Sequence, residues 1–339
     1  MKVAFDSRPL SDPNGVGRYS RCLLSALRAT AGAGDEVLET RRPSATAGGT
    51  GTDVFHSPWM AGAMLRSSCP TVVTLHNLAA LNRRSEHLRS GMRLRLRHLA
   101  VQRAMRVIVP TEVLAEDAVT HLRLERERVE VIPDAADSAM YPRPSDEVAA
   151  ARARFSLPER YLVWVGDLQH PQPGHHVAKL AAAERGLALV LVGPTGPWAH
   201  ELPGVILTGE VDDDELAAIH TGAHAFVLPC AEEGFGLAAV EALACGTPVV
   251  ACDAPALREV LEGRASFVPP GDVQALIAAA EGAQRPAPGP PAWSWEDAAR
   301  ATWGVYARAM SKPEQPRSSS LTLRARRSGA PRLDRLGPQ

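Results

Sequence analysis

Short apolar runs of four to seven residues recur along the chain, separated by longer stretches of mixed composition. The first five are KVAFD (Lys2–Asp6), DVFHS (Asp53–Ser57), TVVTLH (Thr71–His76), RVIVP (Arg106–Pro110) and VEVIP (Val129–Pro133). The pattern then restarts with YLVWVG (Tyr161–Gly166), LALVLVG (Leu187–Gly193), GVILTG (Gly204–Gly209), AFVLP (Ala225–Pro229) and PVVA (Pro248–Ala251). Runs without polar alternation suit strands covered on both faces, and helical stretches between them supply the cover. The expected class is α/β, with two doubly wound parallel sheets in succession. Between the series, Pro133 to Arg160 carries four prolines around one short Ala/Arg helix, which places a boundary near Ser145–Leu157. A last helical pattern runs from Trp293 to Met310 with Ser294 as its N-cap, and a Pro/Ser/Arg-rich tail follows that is expected to be disordered.

Composition narrows the function classes. A chain of 339 residues, 45% hydrophobic, can bury two cores. With 37 Lys and Arg against 38 Asp and Glu, the net charge of −1 gives no field to draw nucleic acid. The balance is uneven, because seven basic and two acidic residues fall between Ser311 and Gln339. The five cysteines show no metal-ligand spacing and read as reduced thiols. No secretory signal and no membrane-length apolar run is visible, so a cytoplasmic location is expected.

In open α/β sheets, ligands bind beyond the carboxyl ends of the strands, so residues directly after the runs are the candidates. After the first strand, Gly15-Val16-Gly17 precedes a helix, where glycines let backbone approach a phosphate. The sharpest feature is Glu233-Gly234-Phe235-Gly236-Leu237 leading to Glu241. Strand, glycine turn and helix in that order put one carboxylate on a loop and the other about two turns away, both able to face one cleft. Carboxylates accept from sugar or ribose hydroxyls, and the helix N-terminus between them suits a diphosphate.

These segments resemble the retaining GT-B glycosyltransferases of family 4. The likeness rests on the E-x(7)-E segment with its EALACGTPVVA continuation, on FDSRPLSDPNGVGRYSR, on FHSP, TLHNL and VEVIPDAAD, and on GEVDDDELAAIHTGAHAFVLP and WSWEDAARATWGVYARAM. It implies two facing Rossmann-like domains: an acceptor domain over 1–150, joined by the helix 293–310, and a nucleotide-sugar domain over 151–292, with 311–339 as the tail. It implies a nucleotide diphosphate sugar as donor, a hydroxyl acceptor, no metal ion, and mannose as the first choice of sugar. Carried over residue by residue, Glu233 would hold donor-sugar hydroxyls and Glu241 the ribose. Gly234, Phe235, Gly236 and Leu237 would present N–H groups to sugar and diphosphate. Gly15 and Gly17 would close on the phosphate, and His76 would line the cleft near the sugar. His56, Asn77 and Thr111, which also end strands on that rim, are expected to contact the acceptor.

Two segments depart from the family. Its Gly-Arg turn and Arg-Lys pair, which neutralise the diphosphate, are replaced by Gly166-Asp167-Leu168-Gln169-His170-Pro171-Gln172-Pro173-Gly174-His175-His176, with no cation before Lys179. His175, His176 or Lys179 is expected to substitute, a histidine becoming charged beside the phosphates. Asn77 stands where an Asp commonly follows the histidine. A family-4-like scaffold that binds a sugar nucleotide without catalysis, and a sugar-nucleotide epimerase, therefore stay open beside the transferase. Eight arginines between Arg83 and Arg106, interleaved with Leu and Met, describe either a solvated helix or one lying on an anionic membrane.

Overall fold

The computed structural model describes residues 1–13, 15–41, 51–78, 95–169, 171–183 and 185–311, with backbone alone for 172–175. Its first sheet comprises β1 (Lys2–Asp6), β2 (Glu36–Thr40), β3 (Val54–Ser57), β4 (Thr71–Thr74), β5 (Arg106–Val109) and β6 (Val129–Val131), ordered β2-β1-β3-β4-β5-β6. The second comprises β7 (Tyr161–Val165), β8 (Ala188–Val192), β9 (Val205–Gly209), β10 (Ala225–Leu228), β11 (Val249–Cys252) and β12 (Ala265–Val268), ordered β12-β11-β10-β7-β8-β9. All pairings are parallel. Every residue of β3, β4, β10 and β11 is buried, as a sheet covered on both faces requires. The ten apolar runs each contain a strand.

Two strands, β2 (EVLET) and β12 (ASFV), have no such run behind them. Both are edge strands, and most of their residues keep some contact with solvent. Packing does not demand an unbroken apolar run there, and polar residues interrupt both segments.

Helices flank the sheets: α1 (Gly15–Ala29), α2 (residues 95–103), α3 (Glu112–Leu122), α4 (Ser145–Phe155), α5 (Pro171–Ala182), α6 (Asp213–Gly222), α7 (Leu237–Ala244), α8 (Pro255–Leu261), α9 (Val273–Glu281) and α10 (Trp295–Met310). The last element in the chain, α10, packs on α1 and on β3 and β4 of the first sheet. Its Trp295, Ala299 and Tyr306 share a core with Val3, Phe5 and Leu27. The expected cap is present, Ser294 Oγ accepting from the Asp297 amide at 3.1 Å. Helix α4 packs on α6, and Ala151 joins the core of the second sheet. The expected boundary residue, 150, falls inside α4.

Residues 83–94 of the arginine-rich segment and the tail 312–339 lie outside the described residues. Helix α2 continues that segment, with Ala100 and Val101 buried and Leu96 and Leu99 exposed. No helix among the described residues is long and apolar enough to cross a membrane.

Strand order reverses between β1 and β3 in one sheet and between β7 and β10 in the other. Loops diverge at such points and leave a crevice outside the carboxyl ends of the strands. Both crevices open into one cleft between the sheets.

Candidate active site

The cleft has a volume of about 650 Å³ and takes residues from both domains. Gly15, Val16, Arg18, His76, Asn77 and Asp134 line it from the first; Gly166, Asp167, His176, Glu233, Phe235, Gly236, Leu237 and Glu241 are among those from the second. The glycine turn places the two glutamates. Gly236 has φ +83°, which a side chain would strain, and it leads directly into α7, on which Glu241 is the fifth residue. The N-terminus of α7 therefore faces the cleft between the two carboxylates, its free N–H groups available to an anion. Burial pushes the Glu233 carboxyl above its ordinary range. It pushes Glu241 up to about 7, with Arg18 pulling the other way.

His76 enters from the opposite wall. Its Nε2 donates to the Pro58 carbonyl at 2.8 Å and its ring meets Tyr19 edge-on at 4.5 Å between centroids. Burial lowers its pKa to about 4, so the ring is neutral and Nδ1 is left as an acceptor.

Other expected residues lie elsewhere. His56 is fully buried, bonded to Tyr306 Oη at 2.6 Å and Thr74 Oγ1 at 3.0 Å, and does not line the cleft. Thr111 caps α3 by accepting from Leu114 N and donates to the Gly234 carbonyl at 3.1 Å, which makes it a link between the domains. Gly17 and Gly234 line no part of the cleft wall; each is a point of close backbone approach. A Cβ on Gly17 would lie 2.8 Å from the Asp12 carbonyl carbon, and one on Gly234 would lie 3.0 Å from that of His76. Lys179 is exposed and away from the cleft wall. The side chain of His175 lies outside the described residues, whereas His176 does line the cleft.

Arg18 and Asp134, which no motif marks, also line the cleft. Arg18, on the first turn of α1, crosses to the second domain, where Nε pairs with Glu241 Oε1 and Nη1 with Asp213 Oδ1 at 2.6 Å. Nothing local marks it, since Glu241 is 223 residues away. Asp134 does carry a positional signal, following β6 on the same rim.

Asp134 is 4% exposed, and burial raises its pKa to about 8. The unfolded chain loses this proton near the usual aspartate value while the native state keeps it to about pH 8. The native state then binds more protons across that interval, and stability falls as pH rises through it. Asp134→Asn is expected to stabilise the protein at pH 8, on the order of 2 kcal/mol after relaxation of the site. The gain should shrink steadily toward pH 5 in thermal melts of both proteins. A difference that stays constant with pH would show that Asp134 is ionised throughout.

Among the described residues, no group of three or more His, Cys, Asp or Glu side chains is arranged to hold a metal ion.

The chain is similar to known glycosyltransferases. Residues 159–283 match the glycosyl transferases group 1, and residues 49–139 match Glycosyltransferase Family 4. A D-inositol 3-phosphate glycosyltransferase of Streptomyces bingchenggensis is 30% identical over 312 residues, covering 76% of this chain and 67% of that protein. Its counterpart from Mycolicibacterium smegmatis is 30% identical over 225 residues, covering 59% of this chain, which spans only 51% of that protein. Among solved structures, Anabaena Alr3699/HepE in complex with UDP and glucose superposes with a TM-score of 0.65 at 19% identity, covering 91% of this chain and 95% of that one. The fold is thus that of the GT-B enzymes, and the chain belongs to glycosyltransferase family 4.

Proposed function

We propose that the protein transfers a hexose from a nucleoside diphosphate sugar to a hydroxyl acceptor with retention of anomeric configuration. The observation that carries this reading is the pair Glu233 and Glu241, held on either side of the α7 N-terminus and facing His76 and Asn77 across one cleft. In this reading Glu241 accepts from the ribose, Glu233 accepts from sugar hydroxyls, and the amides of Gly236 and Leu237 meet the diphosphate. The bond from the anomeric carbon to the phosphate oxygen breaks first, leaving oxocarbenium character on the sugar. The acceptor oxygen then bonds to the same face, and its proton passes to the departing phosphate oxygen, releasing nucleoside diphosphate and glycoside. His76, as a neutral acceptor, orients a hydroxyl beside the reacting carbon.

The names of the relatives do not specify mannose, the sugar first expected. The curated ones are named for an inositol phosphate acceptor, and the Anabaena protein was solved with UDP and glucose. We therefore leave the sugar at a hexose. Thermal shift with UDP-glucose, GDP-mannose, ADP-glucose and dTDP-glucose tests the reading. One donor should raise the melting temperature, with a stabilisation that grows as the logarithm of its concentration. Absence of a shift with all four would remove the donor site and the transferase reading with it.

A further inference from the structure

We propose that Arg18 supplies the positive charge to the donor diphosphate, in place of the cations that residues 166–176 of the second domain lack. This rests on the donor-site reading above. A diphosphate leaving group gains negative charge as its bond to the sugar breaks, and fixed positive groups in a water-poor cleft stabilise it. Among the described residues, the arginines that line the cleft are Arg18 and Arg21, both from α1. Arg21 is already committed, Nη1 donating to the carbonyls of Leu10 and Asp12 at 3.0 Å each.

Arg18 is differently placed. Its side chain is 13% exposed, and its Nε and Nη1 are held by Glu241 and Asp213. Its Nη2 is buried without a hydrogen-bond partner. A guanidinium carries five donors, and a buried donor left unmet is costly, so Arg18 gains by turning this donor to an acceptor in the cleft. Both carboxylates hold the group charged despite its burial.

The neighbours identify that acceptor. Arg18 contacts Glu241 through Oε1, which leaves the second oxygen for a ribose hydroxyl. Ribose and diphosphate are adjacent in a nucleoside diphosphate, and the α7 N-terminus faces the same cleft from the second domain. A planar fork pairs well with phosphate oxygens. Asp213 is the more exposed partner, 52% against 3% for Glu241, and is the one a phosphate would displace. Since Arg18 rides on the first domain, the donor's charge would be read by one domain and its ribose by the other.

The test compares UDP, GDP, ADP and dTDP, each with its nucleoside, by calorimetric titration against the unaltered protein, Arg18→Gln and Arg18→Lys. Glutamine can still donate to Glu241 but carries no charge; lysine keeps the charge but not the fork. For whichever base binds, Arg18→Gln should weaken the diphosphate at least tenfold while changing the nucleoside less than twofold. Arg18→Lys should recover part of the loss. Equal weakening of nucleoside and diphosphate would mean that Arg18 merely positions Glu241, and unchanged diphosphate affinity would remove it from the site; either result overturns the proposal and leaves the donor reading standing. Should only Arg18→Lys fold, a diphosphate-selective loss of several-fold supports the proposal and no selectivity overturns it. If none of the four diphosphates binds the unaltered protein, the donor reading falls and this inference falls with it.

Discussion

Glu233→Ala is expected to lower transfer about a thousandfold while leaving the melting temperature within a few degrees of the unaltered protein. Under the role proposed above, Glu233 holds sugar hydroxyls as the sugar flattens toward an oxocarbenium ion. Removing a hydrogen-bonding group of that kind typically costs 10²–10³ in turnover. The fold should be indifferent, because Glu233 lies on the loop between β10 and α7 and burial already disfavours its charged form. Glu233→Gln separates the two contributions, keeping a hydrogen-bonding side chain without the charge. Steady-state rates with the donor found by thermal shift provide the check. Turnover of Glu233→Ala within threefold of the unaltered protein would remove Glu233 from the reacting centre.

Gly234→Ala is expected to be nearly as damaging, by at least a hundredfold in turnover, through a different cause. A Cβ there would overlap the His76 carbonyl oxygen and lie 3.0 Å from its carbon. Both atoms are backbone, so neither side yields by a rotamer change, and the two domains must part. The Thr111 hydroxyl would then lose the Gly234 carbonyl, and the nearby bonds from the Glu112 and Val113 amides to Glu259, at 2.7 and 3.0 Å, would be strained. A displacement of about 1 Å between reacting groups can cost 10²-fold. Each sheet should stay folded, since Gly234 belongs to neither core. Circular dichroism should be unchanged, whereas small-angle scattering should report a more open molecule. Gly289→Ala, where a Cβ meets nothing within 4 Å, serves as the control. Full activity in Gly234→Ala would show that the close approach of the domains is not required for transfer.

These two residues differ in how they could be found. Glu233 and Glu241 are eight positions apart on one loop and helix, so spacing and glycine content alone put them on one wall. Gly234 belongs to the same segment, but its contact with His76 is invisible there. His56 shows the opposite error: it ends a strand on the ligand-binding rim, yet its side chain turns inward to Tyr306, 250 residues later. Thr111 likewise sits on the rim and is consumed by a helix cap and a carbonyl of the other domain. Edge strands β2 and β12 escaped notice because partial exposure relaxes the demand for apolar side chains.

By itself, the sequence determined the two parallel sheets, the strands at their centres, the final capped helix and the glutamate wall. Each of these depends on hydrophobic pattern or turn chemistry within some twenty residues, and burial on both faces of a sheet writes itself directly into composition. The tertiary structure decided which rim residues face the cleft and which are spent on packing. It also decided which basic side chain reaches across the cleft. Arg18 is one arginine among many until α1 sets it against Glu241 and Asp213 of the other domain, because an ion pair depends on distance in space and leaves no periodic mark along the chain.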